Sequence, residues 1–410
     1  MTSIALVVNT FPTLSESFIV NKVRLLADLG FKVTIIIHKK QAESIPQDLI
    51  GRVRVLTAPS AYPLVKRILH IIYAFCLNFE SFYLLWRQCK CSDLLHRFKI
   101  LELYTPFAGC NFDIIHFSFS GIGVAYLPLM NFLKKKSRLY VSCRGHAEQI
   151  RPLFDLERRK KLNELFDVVD RVHCVSDDMV TTCVTYGLDR SKAFVNRPAI
   201  DPALFSPIKG HNATIKQQKE RDEERCIPFR ILTVGRLHWK KGLDTLIQAI
   251  RILNEKNLNL HLDIVGEGPE REKLVFLAHQ LGLSEIVFFH GALNQFHVRD
   301  FLAQAQVFVH PSLSEGISNA VMEAMAMELP IVCTDAGGMS ELIVHEYNGL
   351  IVPILNPAAL AEAITRLYQS FELRLRLGQS ARQTILKDFT LERQGRIFAN
   401  EYALATCSYS

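Results

Sequence analysis

Residues 307–326 read VFVHPSLSEGISNAVMEAMA (Val307–Ala326), and the order of residue types predicts a strand, a loop and a helix. The first part, Val307–His310, is a short β-branched run. A loop of Pro, Ser and Gly follows, and then a segment whose apolar residues recur with helical spacing. This order is typical of a parallel α/β domain, in which a helix follows each buried strand.

The same alternation continues on both sides of these residues. In the second half the other predicted strands are Arg230–Val234, His261–Val265, Ile286–His290, Ile331–Thr334 and Leu350–Val352. In the first half they are Ile4–Asn9, Lys32–His38, Arg52–Leu56, Asp113–Phe117, Arg138–Cys143, Arg171–Val175 and Ala193–Asn196. A helix is predicted over Phe18–Gly30, because a glycine suits the end of a helix. We therefore predict an α/β protein of two Rossmann-like, doubly wound domains facing a central cleft.

A break in composition separates the two domains. Residues 206–228 (SPIKGHNATIKQQKERDEERCIP) are polar and charged, which indicates a linker or a surface excursion. The predicted division is an N-terminal domain over residues 1–205, this linker, and a C-terminal domain over residues 229–390.

Composition and charge restrict the classes of protein to consider. Of the 410 residues, 49% are hydrophobic and 22% are charged, which fits a folded chain and excludes a disordered one. Residues 1–205 carry 27 Lys and Arg against 18 Asp and Glu, a net charge of +9, whereas the remainder carries 21 against 23, or −2. The two halves should therefore meet different partners, unless the basic half is only a solubilising surface.

Cysteine usage and the N-terminus favour a cytoplasmic protein. The ten cysteines form no C-x-x-C pair and no zinc or disulfide framework, which suits a reducing compartment. The chain begins MTS and runs straight into a predicted strand, without the basic segment and cleavage site of a signal peptide. The apolar run Ile68–Trp86 is interrupted by polar residues, so we expect a buried or interfacial helix there rather than a membrane span.

Loops that contain glycine follow five of the strands predicted in the second half. They are Gly235-Arg236, Gly266-Glu267-Gly268, His290-Gly291, Pro311–Gly316 and Asp335–Gly338. Ligands of open α/β sheets bind at the carboxyl ends of the strands, where helix N-termini present free N–H groups. A single glycine loop is ordinary in such a turn, but five with charged neighbours predict a pocket for an anionic ligand.

Arg236 and Lys241 lie in the first of these loops, GRLHWKKG (Gly235–Gly242). They are five residues apart, around the predicted start of a helix near Gly242. Both could reach a diphosphate, Arg through a forked contact and Lys as a point charge. The loop lacks the G-x-x-x-x-G-K-[ST] pattern of a P-loop.

Glu315 and Glu323 are eight residues apart in EGISNAVMEAMA. We predict Glu315 in a loop and Glu323 just over one turn inside the following helix, so both can face the pocket from the same end. Carboxylates accept hydrogen bonds from vicinal hydroxyls such as those of a ribose or a hexose. Backbone N–H groups of the intervening residues would lie beside them.

Three motifs of the second half together resemble the family 4 glycosyltransferases, which are retaining enzymes of GT-B architecture. They are GRL-x-x-x-KG, VGEGPER-x-x-L and PS-x-x-EG-x-S-N-x-x-x-EAMA-x-x-x-P-x-V. In the first half, FPTLSESFIVNKV (Phe11–Val23) resembles the opening of bacterial exopolysaccharide and colanic-acid-type glycosyltransferases. Val175-Ser176 and IDPALFSP (Ile200–Pro207) match the end of that domain, so the resemblance covers nearly the whole chain.

The resemblance implies a donor site in the second half. Arg236 and Lys241 would hold the diphosphate, and Glu323 would bind the ribose. Gly266 would lie beside the base, and Glu315 would contact the donor sugar as a catalytic residue. The backbone of the loop and helix start would assist at Gly316, Ile317, Ser318 and Asn319.

The resemblance also bears on metals and on the end of the chain. No D-x-D motif occurs, which agrees with a transfer that needs no metal and no cofactor beyond the nucleotide sugar, a co-substrate. Residues 391–410 are expected to form a helix that packs back on the N-terminal domain.

The first half departs from the family pattern in two places. The family often has a Gly-Gly loop after its first strand, where this chain has PTLSE, with Ser15 as a candidate donor contact. It also often has a histidine in a turn resembling H-G-x-D, where this chain has CRGHA. The register puts Arg144 in the place of that histidine, with His146 two residues on, and either could face the donor. His116, near the end of another strand, is either a packed histidine or an acceptor contact.

Together these observations predict transfer of a hexosyl group, with retention, from a UDP- or GDP-sugar to a lipid-linked saccharide in surface-polysaccharide synthesis. No nucleic-acid partner is expected. Two alternatives remain open at this point. One is a nucleotide-sugar 2-epimerase of the same fold, which needs acid–base groups near the sugar C2. The other is a non-catalytic nucleotide-sugar-binding partner.

The segment Tyr62–Tyr104 predicts where the first domain meets a membrane. It places six cations among large apolar and aromatic residues: Lys66, Arg67, Arg87, Lys90, Arg97 and Lys99. A basic amphipathic surface with aromatic residues can lie among anionic headgroups. We therefore expect peripheral docking on the inner membrane face, unless the aromatic residues form core and the cations only solvate the domain.

Overall fold

The computed structural model describes residues 1–12, 17–39, 44–88, 94–207 and 227–407, which fall into two compact units. The first unit is Met1–Arg197 together with Leu391–Ser410, and the second is Pro198–Thr390. Most of the predicted linker, residues 208–226, lies outside the described residues.

The boundary between the units lies before the predicted one. Residues 198–205, assigned to the first domain from the sequence, belong to the second unit. The reason is packing, because Ile200 and Phe205 are buried in the core of the second unit. The N–H of Ile200 also donates to the carbonyl of Phe389 at 3.1 Å.

A parallel sheet of seven strands forms the centre of the first unit, in the order β3-β2-β1-β4-β5-β6-β7. The strands are β1 (Ser3–Val8), β2 (Lys32–Ile37), β3 (Arg54–Thr57), β4 (Ile114–Phe117), β5 (Arg138–Cys143), β6 (Arg171–Cys174) and β7 (Ala193–Val195). Side chains of β1 from Ile4 to Val8 are fully buried, as expected for a central strand covered on both faces.

Helices connect these strands. They are α1 (Ser17–Asp28), α2 (Leu64–Leu77), α3 (Phe79–Gln88), α4 (Leu94–Tyr104), α5 (Ser120–Leu133), α6 (His146–Gln149), α7 (Arg151–Phe154), α8 (Leu156–Val168) and α9 (Asp177–Val184). The predicted helix before Gly30 is α1, and Gly30 follows it with a positive φ of 85°. No single helix of the described residues has the length and apolarity needed to cross a membrane, although α2 and α3 together do and are bent by 109°.

The second unit is built on a parallel sheet of six strands, in the order β10-β9-β8-β11-β12-β13. The strands are β8 (Phe229–Val234), β9 (Leu260–Val265), β10 (Val287–Phe289), β11 (Val307–His310), β12 (Ile331–Thr334) and β13 (Leu350–Val352). The helices are α10 (Leu243–Glu255), α11 (Arg271–Gln280), α12 (Gln295–Gln304), α13 (Asn319–Ala326), α14 (Pro357–Gln369) and α15 (Phe371–Asp388).

Both sheets have the Rossmann strand order, which confirms the predicted fold class of two doubly wound α/β domains. In each sheet the chain builds outward from a first strand and then returns to that strand's other side. The switch falls between β1 and β4 in the first unit and between β8 and β11 in the second. Crevices for ligands form at the carboxyl ends of the strands at such a point.

The last helix, α16 (Leu391–Cys407), belongs to the first unit. Its Phe398 and Tyr402 are buried in the core that contains β1, β2 and part of α1. Its Glu401 pairs with Arg171 of β6 at 2.8 Å. The first unit is therefore completed by the end of the chain.

Candidate functional site

The loop after β8 is held against the loop after β11 by a close backbone approach. Residues Trp239–Lys241 form a 3-10 turn, and Gly242 then starts α10 with a φ of 59°. A Cβ at Gly242 would lie 2.1 Å from the carbonyl oxygen of Pro311, so only glycine fits here. The N–H of Leu313 donates to the carbonyl of Lys240 at 2.7 Å. The two loops therefore have a fixed relative position.

The loop after β9 packs on the same loop from the other side. Gly266 has a φ of 145°, and a Cβ there would lie 1.9 Å from the carbonyl oxygen of Gly235. The N–H of Gly266 donates to the carbonyl of Gly291 at 2.8 Å. The N–H of Gly338 donates to the carbonyl of Glu315 at 3.3 Å, so all five predicted glycine loops are in contact at the carboxyl edge of the sheet.

Lys241 and Glu315 form an ion pair at this edge of the sheet. The Nζ atom of Lys241 lies 2.5 Å from Oε2 of Glu315, and both side chains are mostly buried. The same carboxylate oxygen lies 3.6 Å from Nε2 of His310, the last residue of β11. The hydroxyl of Ser312 is 3.0 Å from the His310 ring and donates to Glu315 at 3.4 Å.

Electrostatics keeps Glu315 ionised. Burial alone would raise the pKa of Glu315, but the positive charge of Lys241 and the contact with His310 outweigh it and hold this pKa well below its usual range. Burial and the charge of Lys241 lower the pKa of His310, so its ring is neutral at pH 7. The pair is therefore a preformed arrangement of one cation and one carboxylate beside a neutral imidazole.

Glu323 lies in the second turn of α13, as predicted, in a different environment. Burial raises the pKa of Glu323 to about 7, and neither an opposite charge nor a hydrogen bond from the described residues counteracts it. A carboxylate in this state is stabilised by any ligand that donates hydrogen bonds to it, as ribose hydroxyls do.

The start of α13 brings backbone donors to the same region. Gly316, Ile317 and Ser318 are buried, Asn319 is partly exposed, and Ser318 precedes the first turn of the helix. No side chain of the described residues caps this helix, so its first N–H groups remain available to an anion or a polar ligand.

Arg236 differs from Lys241 in its surroundings. It is exposed, and no ion pair joins it to another described residue. A small crevice that opens to solvent lies next to its loop and is lined by Thr233, Val234, Gly235, Lys241, Leu243, Ile264 and His310. The structure thus brings Lys241, Glu315 and the α13 N-terminus together, with Arg236 at the surface.

In the first unit, Glu148 holds the turn that carries Arg144 and His146. The sequence motifs did not single out this residue. Glu148 is buried and accepts hydrogen bonds from the N–H groups of Arg144 at 3.1 Å and Gly145 at 3.0 Å. Its carboxylate also accepts from the hydroxyl of Ser120. A glutamate three residues after Gly145 fits the spacing of a capping box, so this pattern could have identified Glu148 from the sequence.

The candidate residues of the first unit are described to different extents. The guanidinium of Arg144 stacks over the ring of Phe18, with 4.2 Å between its central carbon and the ring centroid. His146 begins α6, but its side chain lies outside the described residues, as does the whole of Ser15.

His116 is a packed residue in this structure. It is fully buried, with Nε2 at 2.8 Å from the hydroxyl of Ser142 and Nδ1 at 3.1 Å from Nζ of Lys22. The hydroxyl of Tyr402, from α16, lies 2.5 Å from the same Nδ1. Of the two alternatives for His116, the structure supports the packed histidine.

Solved structures with the same fold define the class. The Anabaena protein HepE in complex with UDP aligns with a TM-score of 0.73 over 98% of this chain and 100% of that one, at 17% identity. The sucrose-phosphate synthase of Thermosynechococcus elongatus aligns with a TM-score of 0.75 over the full length of both chains, at 19% identity. The fold is that of the GT-B glycosyltransferases.

Sequence comparisons then give the family. Residues 15–204 match Glycosyltransferase Family 4, and residues 213–384 match the glycosyl transferases group 1. Escherichia coli K12 WcaL, a putative colanic acid biosynthesis glycosyltransferase, is 28% identical over 88% of this chain and 89% of its own length. The amylovoran biosynthesis glycosyltransferase AmsK of Erwinia amylovora is 29% identical over the same shares. The chain belongs to the family 4 glycosyltransferases, as the motifs predicted.

Proposed function

We propose that this glycosyltransferase moves a hexosyl group, with retention, from a UDP- or GDP-sugar to a lipid-linked saccharide during exopolysaccharide synthesis. The observation that carries the proposal is the Lys241–Glu315 ion pair beside the N-terminus of α13. Support for the pathway comes from the relatives, named for colanic acid and amylovoran biosynthesis. The proposal places the reaction on the cytoplasmic side of the inner membrane, with the protein bound peripherally.

The cations of the first loop are assigned to the diphosphate. As the bond from the sugar to the diphosphate breaks, negative charge accumulates on the leaving group, and preorganised cations stabilise it. Lys241 is already held at the carboxyl edge, whereas the exposed Arg236 is free to turn toward the phosphates. Under this assignment neither a metal ion nor a further cofactor is needed.

The remaining contacts follow the chemistry of each group. Glu323, whose carboxyl gains from hydrogen-bond donors, is assigned to the ribose, and Gly266 to the neighbourhood of the base. Glu315 is assigned to the hydroxyls of the transferred sugar, together with the N–H groups from Gly316 to Asn319. The first unit would contribute Arg144, His146 or Ser15 to the donor.

One experiment separates this proposal from its alternatives. The wild-type protein is mixed with UDP-, GDP- or ADP-sugars without acceptor, and thermal stability and products are measured together. A bound donor at 100 times its Kd should stabilise the protein by about 2.7 kcal/mol. We expect stabilisation and at most slow hydrolysis. An epimerised sugar would indicate a 2-epimerase, and saturable binding with neither hydrolysis nor any new product would indicate a binding partner.

A further inference from the structure

Helices α2 and α3 turn apolar side chains to solvent rather than to a core. Between Leu64 and Trp86, twelve large apolar residues are 39–71% exposed, and we call them the α2–α3 surface. In α2 only Ile71 and Ala74 are buried. At roughly 100 Å² per side chain, the α2–α3 surface exceeds the 300–600 Å² of the largest apolar patch on an ordinary monomer. An exposed apolar patch of this size indicates a binding surface.

The α2–α3 surface is carried on a rigid support. Arg67 of α2 makes a two-pronged ion pair with Glu102 of α4, with both contacts at 2.6 Å. Phe82 and Leu85 of α3 are buried in the core, and the ring of Phe82 packs edge-on against Tyr104 at 5.2 Å. The inner face of the helix pair is therefore fixed to the first unit, and its outer face is held in one orientation.

The charges around the α2–α3 surface favour an anionic binding partner. Lys66, Arg87 and Lys99 are exposed, and no ion pair with another described residue neutralises them. Among the described residues of α2 and α3, Glu80 is the one acidic residue, and it is exposed. Arg97 stacks over Trp86 at 5.1 Å, which places a cation beside an aromatic ring that favours membrane interfaces. Lys90 lies outside the described residues.

The geometry of the two helices suits insertion without crossing. With 14 and 10 residues, α2 and α3 are about 21 Å and 15 Å long, whereas a bilayer core is about 30 Å thick. The bend of 109° prevents them from acting as one straight span. The α2–α3 surface can therefore enter one leaflet of a bilayer while the cations beside it stay at the lipid headgroups.

We propose that the α2–α3 surface inserts into one leaflet of an anionic bilayer and holds the first unit at the membrane. Lipid suits it better than a protein partner, because exposed cations of α2 and α3 accompany the apolar side chains, as in segments that lie among anionic headgroups. The inference deepens the proposed function, since it rests on the lipid-linked acceptor for its use, but the binding itself needs neither donor nor acceptor. It also assigns the peripheral docking expected from the sequence to the exposed apolar side chains of α2 and α3.

Flotation with vesicles tests this proposal on the full chain. Vesicles of phosphatidylcholine alone and with 30% phosphatidylglycerol are compared at low and high salt. We expect binding to both, stronger with the anionic lipid, with the anionic increment alone removed by salt. The variant Ile72→Glu/Phe79→Glu should lose binding about tenfold. The matched control Phe276→Glu/Leu386→Glu, at similarly exposed apolar positions of the second unit, should bind like the wild type.

A second measurement reports insertion directly. The chain has two tryptophans, so Trp239→Phe leaves Trp86 as the only one. Its fluorescence should shift to shorter wavelength with anionic vesicles and be quenched by lipids brominated near the headgroup. Failure to float, or a Trp86 spectrum unaffected by vesicles, would overturn the proposal. A dimer in solution that Ile72→Glu/Phe79→Glu dissociates would also overturn it in favour of a second copy. Donor binding is measured separately, so failure here leaves the proposed transfer reaction standing.

Discussion

Lys241 and Glu315 neutralise each other at the carboxyl edge of the second sheet. A pair that is mostly buried repays its desolvation only while both partners are present, and removing one leaves the other charge uncompensated. In the proposed reaction, Lys241 would pair with the diphosphate of the donor. Donor binding would therefore change how far the negative charge of Glu315, next to the sugar, is neutralised.

Lys241→Ala tests the diphosphate assignment. Hydrogen bonds to charged groups contribute about 1.5–3 kcal/mol, so turnover should fall by at least about tenfold. The pKa of Glu315 should rise at the same time, since Lys241 is the main group that lowers it. Steady-state kinetics gives the first result. Lys256→Ala, at the exposed end of α10, should leave turnover unchanged. Normal turnover and donor affinity in Lys241→Ala would exclude the assignment.

We expect Glu323 to lower the stability of the ligand-free protein, although its carboxylate favours ligand binding. Burial raises the pKa of Glu323 from 4.5 to about 7, so its ionisation opposes folding increasingly as the pH rises across that interval. Glu323→Gln should raise the free energy of unfolding by about 3 kcal/mol at pH 8 and leave it unchanged at pH 4. Denaturant titrations at the two pH values measure this, with Glu362→Gln on the exposed face of α14 as control.

The same variant should bind nucleoside diphosphates more weakly at pH 8, because an amide accepts fewer hydrogen bonds from ribose hydroxyls than a carboxylate. Calorimetry with UDP and GDP measures the loss. A stabilised variant with full nucleotide affinity would place Glu323 outside the ribose site.

At the scale of elements, strands were predictable and contacts between loops were not. All thirteen predicted strands occur within the described residues, because central parallel strands require β-branched apolar runs that stand out in the sequence. The Lys241–Glu315 pair was not foreseen as a pair, since it depends on how the loops after β8 and β11 pack. Whether the apolar residues of α2 and α3 are exposed or form core was left open by the sequence, because apolar residues alone do not reveal what covers them.

Gly242→Ala tests the interlocked loops. An alanine Cβ would lie 2.1 Å from the Pro311 carbonyl, at a φ of 59°, so the loop that carries Lys241 must move. We expect a loss of at least about 1 kcal/mol of stability and a marked loss of donor affinity. Gly282→Ala is the matched control, with a φ of 70° and its nearest neighbour 4.0 Å away. It should lose less stability, because only the positive φ opposes it, and should keep donor affinity. Equal affinity losses would mean that the loop contact is not what positions Lys241.

At the scale of the whole molecule, each unit has its own core and its own share of the candidate residues. The second unit is continuous in sequence and contains Arg236, Lys241, Glu315 and Glu323. The first unit contains Arg144 and His146 and is interrupted by the second.

The stereochemistry and metal requirement of the transfer test the reaction as a whole. Because Arg and Lys are assigned to the leaving diphosphate, activity should persist in excess EDTA. Proton NMR of the new anomeric centre should show the configuration of the donor. An inverted product, or activity that returns only with an added divalent ion, would contradict the proposed mechanism.

The place of α16 in the first unit has a consequence for synthesis on the ribosome. Phe398 and Tyr402 complete the core around β1, yet all of Pro198–Thr390 is translated before them. At 5–20 residues per second this takes roughly 10–40 s. During that interval the surface that α16 will cover, with Lys22 and His116, faces water. The second unit, whose residues form one continuous run, can finish folding first, so the part of the protein made first is the last to close.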